Sequence, residues 1–149
     1  MSRIPVRWDG EGECYFVTIV TKHRRPLFSE DRNCNLLMDA FREVYPIHPF
    51  RLSGLVIMPD HWHGIIEPKE GEVIENVVGA VKKGMLRKYH GHSKGASIWL
   101  QRFLDRRIRN QREFEHYLNY IHINPVKHEF ADTVDEWPWC FFLPDLKSE

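Results

Sequence analysis

FRLSGLVIMPDHWHGIIEP, residues 50–68, decides the fold. Two apolar, β-branched runs flank Met58-Pro59-Asp60, a tight-turn signal. The pattern predicts a strand over Phe50–Ile57 and a returning strand over His61–Pro68, joined as a hairpin. Side chains alternate faces along a strand, so His61 and His63 point the same way, with Cα atoms about 6.6 Å apart. Trp62 points the opposite way and can enter the core. Leu55, Val56, Ile57, Ile65 and Ile66 make this a central strand, a rigid platform for ligands. Two imidazoles at that separation can converge on one metal ion. In a chain with nine histidines, the bare pattern is also open to two ordinary surface or core residues.

Upstream of the hairpin, Cys14–Thr21 (CYFVTIVT) reads as a strand. Ser29 can cap a helix from about Glu30 to Tyr45, where Leu36, Leu37, Ala40, Phe41 and Val44 recur at helical spacing and Pro46 ends the run. Downstream, Gly71 opens a second helical pattern buried through Val73, Ile74, Val77, Val78, Val81 and Leu86. Gly91–Gly95 is a polar loop, Ile98–Phe103 a short strand candidate, and Arg112–Asn124 a last helix stopped by Pro125. This order predicts one α+β domain over residues 1–149, an antiparallel sheet with helices packed on one face, in a ferredoxin-like sandwich. An aromatic tail over about residues 129–149, with Trp137-Pro138-Trp139 and Phe141-Phe142, is expected to pack against the body.

At 149 residues, 42% hydrophobic and 13% aromatic, the chain can bury a core without staples and is not a disordered tail. Cys14, Cys34 and Cys140 are odd in number, widely spaced and without a CxxC, which predicts reduced thiols in a cytoplasmic protein. MSRIPVRWDG holds no signal-peptide core, and no run reaches the roughly 20 apolar residues that span a bilayer, so neither export nor membrane insertion is expected.

Net charge is zero, but it is unevenly spread. Between Ala80 and Asn110 there are nine Lys/Arg (Lys82, Lys83, Arg87, Lys88, Lys94, Arg102, Arg106, Arg107, Arg109) against Asp105 alone, a local charge of +8. Glu129 to Glu149 carries −5, and Lys22, His23, Arg24 and Arg25 form a second short basic cluster. Such a region is the electrostatic footprint of a phosphate-backbone partner, or else an ordinary solvated surface.

The helix FEHYLNYIHINP buries a stripe of Phe114, Tyr117, Leu118 and Ile121. Tyr120 lies off that stripe, and Asn124, one turn on, stacks on the same flank. A phenol spared by the core beside a metal-capable amide oxygen can form a catalytic pair; the helix alone also allows an ordinary boundary tyrosine. Combined, the pieces describe a divalent ion on His61, His63 and Asn124 polarising a phosphate, with Tyr120 as nucleophile. Mixed N/O donors suit Mg²⁺ or Mn²⁺, although two imidazoles would also bind Zn²⁺. Tyr117 is the nearby alternative phenol.

VIMPDHWHGIIEP, then IWLQRFLDRRIRN, YIHINPVKHEF and EWPWCFF, resemble the single-tyrosine HUH transposases, in the REP-associated, insertion-sequence-200-like branch. The resemblance runs from about Tyr15 to Phe142. It implies His61, His63 and Asn124 as metal ligands and Tyr120 as nucleophile. It also implies a 5′-phosphotyrosyl link to single-stranded DNA, a free 3′-OH, Mg²⁺ or Mn²⁺ without ATP, and recognition of a DNA hairpin by a monomer or homodimer. Asp105 and Arg109 match a segment expected to serve fold or DNA contacts. Lys82, Lys83, Arg87, Lys88, Arg102, Arg106, Arg107, Arg109, Arg24 and Arg25 are the candidate DNA-binding residues. Two other readings compete: a domesticated hairpin-DNA-binding protein that no longer transposes, and an unrelated zinc hydrolase. The second has no use for Tyr120 or for the basic segment.

Overall fold

A computed structural model of the chain describes residues 12–91 and 95–142. Lys94 and the tail beyond Phe142, both part of the charge pattern above, lie outside the described residues. The elements run β1 (Cys14–Val20), α1 (Asp31–Val44), β2 (Phe50–Met58), β3 (His61–Pro68), α2 (Ile74–Tyr89), β4 (Leu104–Ile108), α3 (Gln111–Lys127) and β5 (Cys140–Phe141). The strands form one antiparallel sheet in the order β4-β1-β3-β2-β5. The α+β class and the central β2–β3 hairpin are as the sequence predicts.

Alternation splits the sheet into two packed faces. Val17, Ile19, Leu55, Ile57, Trp62 and Ile66 face α1 and α2. Trp62 is fully buried there, edge-on to Phe41 with centroids 5.3 Å apart. Phe16, Val56, Met58, Ile65 and Ile108 face the other way, onto Phe114, Leu118 and Ile121 of α3. The helices are thus not all on one face, as the sequence reading had them: α3 covers the face opposite α1 and α2. Gly54 allows its close approach, since a Cβ there would sit 3.1 Å from Leu118 Cδ2 and 3.4 Å from Ile121 Cδ1.

Two boundaries differ from the sequence expectation. The fourth strand is Leu104–Ile108, beyond Ile98–Phe103, where Trp99 makes only an isolated bridge to Thr21. LDRRI is an edge strand whose first four residues are exposed, so it lacks the apolar alternation that marks a buried strand. Second, α3 passes through Pro125 and ends at Lys127. Proline removes its own N–H and crowds the carbonyl one turn back, but the bonds that follow it can still form. The Asn124 and Pro125 carbonyls still accept from His128 N and Phe130 N at 3.1 and 2.8 Å, and the chain leaves the helix at Glu129 with φ 63°. The start of α3 is fixed by the Asn110 side chain, which accepts from Glu113 N at 2.9 Å, while Glu113 Oε1 accepts from Arg109 N at 2.8 Å.

Candidate active site

The face covered by α3 is the one that His61 and His63 share. β3 lies between β1 and β2, with His63 opposite Thr18 and Val56, and His61 opposite Val20 and Met58. The two imidazole centroids are 4.7 Å apart. Each ring has its Nδ1 engaged: His63 Nδ1 lies 2.9 Å from Thr18 Oγ1, and His61 Nδ1 lies 2.7 Å from Asp60 Oδ1. The Asp60 carboxylate can only accept, so His61 donates from Nδ1–H and keeps its Nε2 lone pair for a ligand.

Electrostatics favour neutral rings. Burial lowers the His63 pKa to about 3, assisted by the nearby His61 and His128. Burial also lowers His61, against the opposing pull of the Asp60 carboxylate. Burial alone would raise Asp60, but its hydrogen bonds to His61 and Arg24 outweigh that and hold it below the usual carboxylate value. Neutral imidazole is the form that donates a lone pair to a metal.

α3 brings the other two candidates to this face. The Tyr120 ring meets His63 edge-on at 5.4 Å and Phe16 edge-on at 5.8 Å, while Lys127 Nζ sits 5.3 Å above the phenol ring. Phe16 itself stacks on His63 at 5.1 Å and on Tyr117 at 4.5 Å. Asn124 is fully buried, and neither its Oδ1 nor its Nδ2 has a hydrogen-bond partner among the described residues. Buried amides are nearly always paired, so an orphaned Oδ1 suits a ligand that supplies the missing contact. Two adjacent imidazoles and one unpartnered amide oxygen are a donor set that suits a divalent ion.

Phe16, Thr18, Asp60, Lys127 and His128 were not singled out by sequence reasoning. Thr18 follows only from the β1–β3 register, whereas proximity to His61 in sequence would have indicated Asp60.

The basic residues divide by location and by partner. Arg24 Nη1 is 3.2 Å from Asp60 Oδ2. Lys82 donates to the carbonyls of Leu100 and Gln101 at 3.0 and 3.3 Å, and burial lowers its pKa. Lys88 pairs with Glu43, and Arg107 lies 4.0 Å from Glu13. Arg25, Lys83, Arg87, Arg102, Arg106 and Arg109 are exposed. Arg106 sits opposite Phe16, on the histidine face, whereas α2 lies across the sheet from it.

Comparison with known proteins identifies the family. The family model described as "Transposase IS200 like" matches residues 13–124, a span that runs from β1 to Asn124. A REP-associated tyrosine transposase of Escherichia coli K12 is 30% identical over 141 residues, covering 94% of this chain and 82% of that protein. A Haemophilus influenzae protein provisionally given the same name is 28% identical over 150 residues, 93% of this chain and 85% of its own. The solved structure of a REP-associated tyrosine transposase bound to a REP hairpin superposes with a TM-score of 0.78 at 29% identity, covering 95% of this chain and 83% of that one. The chain belongs to the IS200-like transposase family, enzymes that cut and transfer DNA strands.

Proposed function

We propose that the protein is a divalent-metal-dependent nuclease and strand transferase for hairpin-forming single-stranded DNA, with Tyr120 as nucleophile. The observation that carries this is the meeting of Tyr120 with His63 on the face where His61 and the unpartnered Asn124 also lie. The relative solved with a REP hairpin supports a hairpin substrate.

His61 Nε2, His63 Nε2 and Asn124 Oδ1 would hold Mg²⁺ or Mn²⁺, which supplies Lewis-acid polarisation of the scissile phosphate. Tyr120 Oη attacks phosphorus and gives up its proton. The bond from phosphorus to the 3′ oxygen breaks, that oxygen takes up a proton, and the 5′ phosphate remains on Tyr120. Attack by a 3′-OH on the phosphotyrosine reverses the step and rejoins the strand. Thr18 and Asp60 orient the two imidazoles, and Phe16 holds the His63 and Tyr120 rings against each other. Exposed Arg106, Arg102 and Arg109 supply phosphate contacts. A DNA substrate assigns the work to the cytoplasm. Among the described residues, no helix is long and apolar enough to cross a membrane.

The test is a denaturing gel of the protein with hairpin-bearing single-stranded DNA and Mn²⁺ or Mg²⁺. A covalent protein–DNA band that EDTA abolishes is the expected result. Hairpin binding without any adduct, across several sequences and both metals, would favour the domesticated binder.

A further inference from the structure

The loop after β1 adopts a conformation that solvent exposure does not explain. His23 and Arg24 are consecutive non-glycine residues in the left-handed region, at φ 58° and 52°. L side chains rarely adopt this backbone, so the surroundings must impose it. Thr21 supplies much of that constraint. It is fully buried, its N–H donates to the Asp60 carbonyl at 2.9 Å, and its Oγ1 lies 2.8 Å from the Arg25 carbonyl and 3.0 Å from that of Asp60. Lys22 N also donates to the Ile98 carbonyl at 2.8 Å. The loop is thereby tied to the β2–β3 turn beside the histidine pair.

The result is a linear relay. Arg24 Nη1 lies 3.2 Å from one Asp60 oxygen, and the other Asp60 oxygen lies 2.7 Å from His61 Nδ1. A carboxylate accepting from Nδ1–H fixes the tautomer and the ring rotation, so that Nε2 presents its lone pair. The Arg24 side chain is 66% exposed, too open for this ion pair to add much stability, which leaves geometry as its effect.

We propose that Asp60 is the positioning residue for His61, and that Arg24 holds Asp60 in place and so serves the metal site rather than the DNA-contacting surface. This rests on the reading of His61 as a metal ligand.

The experiment measures Mn²⁺ affinity of the full-length protein by electron paramagnetic resonance without DNA, and hairpin affinity separately in EDTA. Circular dichroism checks the fold of each variant. Asp60→Ala should weaken Mn²⁺ binding 10–100-fold, and Asp60→Asn, which keeps an acceptor oxygen, should recover part of it. Arg24→Ala should weaken Mn²⁺ binding severalfold and leave hairpin affinity in EDTA unchanged. Native Mn²⁺ affinity in folded Asp60→Ala overturns the positioning role. Native Mn²⁺ affinity in Arg24→Ala with weakened hairpin binding overturns the assignment of Arg24. His61→Ala is the reference: if it too binds Mn²⁺ normally, the metal reading itself fails, whereas loss there with intact Asp60→Ala sinks only the relay.

Discussion

The Tyr120 and His63 rings meet edge to face, with centroids 5.4 Å apart and planes at 75°. Tyr117 does not share this relation: it lies flat on Phe16, at 4.5 Å and 17°. Of the two phenols that the sequence offers, Tyr120 is the one in contact with a histidine of the pair. Tyr120→Phe should therefore reduce adduct formation by at least about a thousandfold while leaving hairpin binding intact. Tyr117→Phe should still form the adduct. A Tyr120→Phe protein that is labelled normally would move the nucleophile elsewhere.

Gly54 sets how closely α3 approaches the sheet. A side chain there meets Leu118 and Ile121, and the same helix carries Tyr120 and Asn124. Gly54→Val should cost about 1–3 kcal/mol of stability by overpacking. It should also lower Mn²⁺ affinity and adduct rate together, because the helix is displaced. Chemical denaturation and metal titration of the same preparation check both. Reduced stability with an unaltered site would mean that the strain is absorbed away from α3.

The hairpin was legible because its signals are local. Turn chemistry lies between two apolar runs, and period-two alternation sets His61 and His63 against Trp62; β3 is His61–Pro68, as read. The placement of α3 was not legible from its own stripe, since an apolar face shows that a helix packs but not on which side of a sheet. The candidate site nevertheless contained that answer. Trp62 belongs to the core under α1 and α2, so a helix donating to the histidines has to cover the other face. Thr18 and Phe16 depend on register between strands more than 40 positions apart, information that no local pattern carries. The exposed LDRRI strand looks like a basic patch because charge and edge position hide its alternation.

His63 gives the apoprotein a defined acid sensitivity. Its folded pKa, about 3, is depressed from the ordinary 6.5. Between those values the unfolded chain binds a proton that the folded chain refuses, so stability rises with pH across the window. The contribution is complete above about pH 6.5 and is lost as pH falls toward 3, by roughly 1.4 kcal/mol per pH unit. Denaturant unfolding of the metal-free protein between pH 7 and 4 should show this slope, and His63→Gln should flatten it. Equal slopes in the two proteins would contradict the burial argument.

The basic residues should not contribute equally to DNA binding. Arg106 is exposed on the histidine face, whereas Lys88 is paired with Glu43 on the helix layer across the sheet. Arg106→Ala should weaken hairpin binding and reduce the slope of log affinity against log salt by about one. Lys88→Ala should change neither appreciably. The reverse order, measured by fluorescence anisotropy at several salt concentrations, would place the phosphate track along α2.

Asn124 is a site where stability and function should oppose each other. Both polar atoms of its amide are buried without partners among the described residues. An unsatisfied buried polar group costs about 1–3 kcal/mol. Asn124→Leu, similar in volume and free of polar atoms, should therefore raise the melting temperature of the metal-free protein. The same change should remove Mn²⁺ binding and adduct formation. Adding Mn²⁺ should restore the balance in the native protein alone, since a ligand that binds only the folded state stabilises it by RT ln(1 + [L]/Kd). Thermal unfolding of both proteins, with EDTA and with Mn²⁺, gives the four values needed. A lower melting temperature for Asn124→Leu in EDTA would mean that the amide is already satisfied in the apoprotein, and the case for Asn124 as a metal ligand would lose its main support.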